Sequence, residues 1–102
     1  MQPIHRFFAL VLALAFLTQA PAVAADAASQ ARALFDDYWE FTLREYPEFA
    51  TFIGDARYAD RLNDVSDAAV RARNAAYARF AQRAADIDAS QLPASERVSL
   101  RV

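Results

Sequence analysis

The side chains in this 102-residue chain whose types and spacing could do chemistry are carboxylates. Asp36, Asp37 and Glu40 stand close together, and Glu45 and Glu48 flank Pro47. Two facing carboxylates can share acid and base duties, as in glycoside hydrolysis. The plainer reading of such a cluster is the solvated face of a helix. Asp55, Asp60, Asn63, Asp64 and Asp67 form a second oxygen-rich group. Their spacing departs from the D-x-[DN]-x-[DN]-G pattern of a calcium loop, and the run leads into a helix cap.

Much other chemistry is excluded by residue type. The chain has no Cys, so it has neither a disulfide nor a thiolate metal site. Its sole histidine is His5, so residues 25–102 cannot build a Ser-His-Asp triad or a histidine-based zinc site. Gly54 is the sole glycine, which rules out a phosphate-cradling glycine loop. The net charge is −2 and the isoelectric point is about 5.2, which argues against a basic nucleic-acid-binding face.

The front of the chain reads as a secretory leader. Arg6 ends a short polar start, Phe7–Leu17 is unbroken and apolar, and Ala22-Val23-Ala24 forms an A-x-A cleavage signal. The apolar run is 11 residues, against about 20 needed for a membrane span. The expectation is therefore a signal peptide over 1–24 and an exported, periplasmic or extracellular product of residues 25–102. After cleavage that product keeps no stable membrane anchor. An uncleaved leader holding a helical hairpin at the membrane is the weaker alternative.

The mature stretch predicts an all-α fold. Asp26–Glu45 reads as a first long helix, alanine-rich at its start, with Asp26 placed to favour the N-terminus. Leu34, Phe35, Tyr38, Trp39 and Thr42 recur on one helical face, which Phe41 and Leu43 widen. Glu40 and Arg44 have the favourable i, i+4 order. Pro47 ends this helix and opens a short one over Glu48–Ile53, closed by a left-handed Gly54. Asp55–Val65 is a polar loop. Ser66 or Asp67 caps a second long helix to about Asp88, with Val70, Tyr77, Phe80, Ala81, Ala84 and Ile87 as its apolar stripe. Ser90–Pro93 is a break, and a third helix starts at Ala94, though the alternation of Val98, Leu100 and Val102 also suits a strand.

Aromatic residues crowd this arrangement. Eight of the ten aromatics beyond residue 24 lie between Phe35 and Tyr58. Residues 25–102 hold only 21 apolar side chains larger than alanine. Domains of about 70–80 residues rarely gain more than 3–5 kcal/mol from one core. Phe35, Tyr38, Trp39, Phe49, Phe52 and Tyr58 therefore read as a packing seam against something larger, or as part of a substrate cleft.

The stretch Leu34–Ser66 carries a resemblance. The Phe35…Tyr38-Trp39 helix, the Tyr46-Pro47-Glu48-Phe49-Ala50-Thr51 step, Gly54-Asp55, Arg57-Tyr58 and Arg61-Leu62-Asn63-Asp64 together resemble the N-terminal region of the secreted bacterial proteins of domain-of-unknown-function family 885. The resemblance implies a large, mostly helical protein similar to gluzincin-type zinc metallopeptidases, with a His-Glu-x-x-His helix far downstream. No catalytic or metal residue carries over to this stretch, so zinc is expected only in a full-length member. Ser99–Val102 fit the family pattern less well than Leu92–Val98. The expected partner is the remainder of the same protein. The alternative is a free-standing periplasmic helical module that binds a separate protein partner.

Overall fold

The structure is a computed structural model that describes residues 19–101. Most of the predicted leader lies outside the described residues. Among those described there are four α-helices and no strand. They are α1 (Gln19–Glu45), α2 (Pro47–Phe52), α3 (Asp67–Ala85) and α4 (Ala94–Ser99), with short 3-10 turns at Ala56–Tyr58 and Ala89–Gln91. The expected two long helices, short connecting helix, polar loop and opening of a third helix are all present. No described helix is long and apolar enough to cross a membrane.

The chain forms two compact units. One is Ala31–Ile87; the other joins, among the described residues, 19–30 with 88–101. In the latter, Ala27 and Leu92 are buried. The Asp88 side chain caps the 3-10 turn there, accepting from the Ser90 backbone N–H at 3.1 Å and from the Ser90 hydroxyl at 2.6 Å. The Val98–Leu100 stretch is helix and turn, so the strand alternative falls.

Two boundaries differ from expectation. Among the described residues the first helix already runs from Gln19, ahead of the expected start at Asp26. Asp26 is therefore an interior residue, and its carboxylate accepts from the Gln30 side chain at 3.2 Å instead of capping. Alanines on both sides of Asp26 favour helix so strongly that no stop signal separates the turns. At the far end α3 closes at Ala85, three residues early. Asp86 accepts from the Gln82 side chain at 2.9 Å, and the Ile87 N–H bonds back to Ala84 at 3.3 Å in a tightening last turn.

The Ala31–Ile87 unit is built on one bend and one return. Thr42 receives the Tyr46 N–H at 2.9 Å as the last α1-type bond. Tyr46, preceding Pro47, adopts φ −123° and ψ 67°, because proline pushes its predecessor out of the helical region. Pro47 then opens α2, where its missing N–H costs nothing. The buried side chains are Ala31, Leu34, Phe41 and Leu43 of α1, Pro47 and Ala50 of α2, Arg73 and Ala76 of α3, and Ile87 beyond it. The α3 stripe is thus shifted in phase from the expected one: Val70 and Ala81 are exposed, while Arg73 and Ala76 are covered.

The seam between α1 and α3 is aromatic. Phe41 meets Tyr77 edge-on at 5.6 Å and Phe80 at 5.2 Å, and Tyr38 meets Phe80 edge-on at 5.3 Å. Edge-to-face rings at these separations stabilise beyond their buried area.

Candidate functional site

Within the described residues, the six aromatics expected to pack on something larger or to line a cleft do not all meet one another. Tyr38 joins the α1–α3 seam. Phe35 and Tyr58 are half-buried. Trp39 points elsewhere, meeting Phe49 of α2 edge-on at 6.2 Å while remaining 48% exposed. Phe49, Phe52 and Ile53 stand i, i+3, i+4 on one face of α2 and are 40%, 86% and 44% exposed. The α1–α3 seam is completed by Phe41, Tyr77 and Phe80, which the sequence places on the apolar faces of the two long helices. On α1, Tyr38 and Phe41 lie about 60° apart and share Tyr77 and Phe80 as neighbours, whereas Trp39 lies about 100° from Tyr38 and turns toward Phe49.

Three devices fix this exposed aromatic face. The first is the end of α2. Gly54 sits at φ +94°, its N–H donates to the Thr51 carbonyl at 3.1 Å, and the Asp55 N–H donates to the Ala50 carbonyl at 2.8 Å. This is the paired bonding of a Schellman cap, which needs a left-handed residue and hence glycine. The expected role of Gly54 is met.

The second device pins the polar loop. The Glu48 N–H, an orphan donor in the first turn of α2, donates to Asn63 Oδ1 at 3.3 Å, and the Asn63 N–H donates to Glu48 Oε2 at 3.3 Å. Asp64 accepts from the Ser66 N–H at 2.9 Å. That bond lowers the Asp64 pKa from its usual value. Ser66 in turn caps α3, its hydroxyl accepting from the Ala69 N–H at 3.2 Å.

The third device is an arginine clamp. The Arg57 guanidinium donates to Asp55 through Nε at 3.0 and 3.1 Å and through Nη2 at 2.7 Å. It also donates to Glu40 of α1 at 2.9 and 3.2 Å. The hydrogen bond from Arg57 holds the Asp55 carboxyl below its usual pKa. Glu40 therefore pairs with Arg57 across the loop and not with Arg44, whose nearest carboxylate is Glu45 at 3.6 Å.

These pairings bear on the acid–base reading. Asp37 is bound to Arg83 at 2.9 Å, Glu40 to Arg57, and Glu45 lies near Arg44 and Arg73. Asp37, Glu40 and Glu45 each lie against a guanidinium and not against another carboxylate, so no two of these three are set up to divide a proton between them. Among the described residues no group of three His, Cys, Asp or Glu side chains could hold a metal ion.

One buried polar cluster escaped sequence reasoning. Arg73 is only 8% exposed, and its guanidinium lies over the Tyr46 ring at 5.5 Å with Glu45 at 3.8 Å. The Tyr46 and Tyr77 hydroxyls share a hydrogen bond at 2.8 Å. Burial first, then that bond, pushes the Tyr77 pKa up to about 12. The available signal was phase: Arg73, Ala76, Phe80, Ala84 and Ile87 follow helical spacing, but the charge of Arg73 took it off the apolar stripe. Comparison of the chain with family models, with curated proteins and with solved structures finds no match.

Proposed function

We propose that this chain is the N-terminal helical portion of an exported bacterial zinc-metallopeptidase-like protein and that its own role is docking. The observation that carries the reading is the exposed face of Trp39, Phe49, Phe52 and Ile53, braced from three sides yet open to solvent. Exposed aromatic clusters of this kind favour association, because covering them removes large apolar area from water. The leader-like layout of residues 1–24 and the resemblance over Leu34–Ser66 support the same reading. Zinc and the water it activates belong to the remainder of such a protein, and residues 25–102 contribute neither ligand nor base.

The test has two parts. Mass spectrometry of the exported product should find an N-terminus at or next to Ala25. The reading frame beyond the codon for Val102 should encode a His-Glu-x-x-His helix. A product that keeps Met1–Ala24 overturns the export reading. A frame without the motif overturns the peptidase reading and transfers the same face to a free-standing partner-binding module. In the longer protein, hydrogen exchange at Phe49–Ile53 should slow relative to the short chain, as expected if the face is covered.

A further inference from the structure

A second surface lies within the Ala31–Ile87 unit, separate from the aromatic face. It is an open groove of about 430 Å³ between α1 and α3. Its floor is apolar, formed by Phe41, Ala76 and Phe80, and its walls carry both signs of charge. The two carboxylates are already committed: Asp37 to Arg83 at 2.9 Å, and Glu40 to Arg57 by two bonds. Of the three cations, Arg83 is held by Asp37 and lies over the Phe80 ring at 5.7 Å, whereas Arg44 and Arg79 keep open donors. Arg79 has no carboxylate within 4.0 Å among the described residues. Arg44 touches Glu45 only through Nε, at 3.6 Å, while its guanidinium lies over the Phe41 ring at 5.7 Å. The groove therefore presents two guanidinium groups with open donors beside two phenyl rings.

From this pairing of charge and floor we infer that the groove docks an acidic peptide segment in which a carboxylate neighbours an aromatic or aliphatic side chain. The apolar side chain rests on the half-buried Phe80 and against the stem of Arg44, whose guanidinium lies over Phe41, and the carboxylate is taken by Arg44 and Arg79, whose planar forks suit carboxylate oxygens. Cavities of this size hold a side chain or two, not a folded domain. The occupant is thus a peptide segment recognised by charge and one apolar anchor.

The probe is a short fluorescein-labelled peptide alternating Phe with Asp and Glu, titrated into the full chain and read by fluorescence anisotropy. Two controls replace its acids by Lys and its Phe by Ala. The acidic aromatic peptide should saturate. Its affinity should fall between about twofold and thirtyfold in the Arg44→Gln, Arg79→Gln double variant, the span set by two exposed ion pairs. It should also fall when salt rises from about 0.1 M to about 1 M, as the screening length shrinks from ~10 Å to ~3 Å. Both arginines are exposed, so circular dichroism should show an intact fold. Equal binding of the Lys peptide or the Ala peptide, an unchanged affinity in the double variant, or no saturation would each overturn the assignment. The salt response and the peptide controls decide the matter even if the variant is poorly folded.

Discussion

Gly54 is the joint on which the exposed face turns, and replacing it with alanine isolates one physical effect. The residue sits at φ +94°, where an L side chain costs roughly 1–2 kcal/mol. A Cβ built there meets no atom within 4 Å, so no steric clash adds to that strain. Alanine also narrows the unfolded ensemble, which offsets about 0.4–1 kcal/mol. The net cost should be near ~1 kcal/mol. With a urea slope of about 1–3 kcal/mol per molar, the unfolding midpoint should drop by roughly 0.3–1 M. Far-UV circular dichroism across a urea series measures it. Gly54→Asn should cost less, because asparagine tolerates the left-handed region. D-alanine, introduced by semisynthesis, prefers positive φ and keeps the unfolded-state benefit, so its midpoint should rise. An L-alanine midpoint equal to the parent, or a D-alanine variant as damaged as the L form, would refute the cap geometry. A loss of several kcal/mol would show a clash that the open space around the glycine excludes.

Other perturbations separate the packed rings from the exposed ones. Phe41→Ala should cost about 3–5 kcal/mol, as buried phenylalanines do, whereas Phe52→Ala should stay within about 0.5 kcal/mol in the short chain. Similar losses in thermal melts would mean the seam is misassigned. Ultraviolet difference titration should find one tyrosine, Tyr77, ionising near 12. Because its folded pKa lies above the usual 10.0, its contribution to stability is complete below pH 10 and is lost as pH rises toward 12, and Tyr46→Phe should bring the transition down. Arg73→Met should be neutral to within about 1 kcal/mol, since it keeps an apolar stem and removes a buried charge held by one 3.8 Å contact. Arg73→Ala should be clearly worse in the same urea series. Equal effects of the two would show that charge, not packing, is what Arg73 contributes.

Punctuation was the most legible part of the sequence. Pro47, Gly54 and Ser66 each impose a local backbone requirement, and each sits where its own chemistry demands. Side-chain partners were harder to read. Glu40 has Arg44 one turn away and still pairs with Arg57, because a loop folded by the Gly54 cap brings a bidentate donor to it. Such a pairing joins residues 17 positions apart, beyond the reach of helical spacing. The start of α1 was misread because an alanine-rich stretch carries no boundary signal. The phase of α3 is hidden in the sequence because the charge of Arg73 marks a covered position as polar. Arg73 buries its stem and keeps its head near Tyr46 and Glu45, the usual way a long cationic side chain lies along an apolar surface.

The division of the aromatics argues most directly about what the fold is for. Leu34, Phe41, Leu43 and Ile87 are the larger aliphatic and aromatic residues buried in the Ala31–Ile87 unit, and alanines and Pro47 fill much of the rest. Trp39, Phe49, Phe52, Ile53, Leu62 and Val65 stay at 40% exposure or more in the same unit. A chain optimised to be stable alone would turn its largest rings inward, since each contributes about 1.5–3 kcal/mol when buried. Here a left-handed glycine, a reciprocal Glu48–Asn63 pair and the Arg57 clamp hold α2 so that its rings face outward. Ordering a short helix and an 11-residue loop costs conformational entropy. That cost gains little inside this unit and gains most when a second surface covers the face. On the docking reading proposed above, the exposed rings are the feature that the surrounding bonds present.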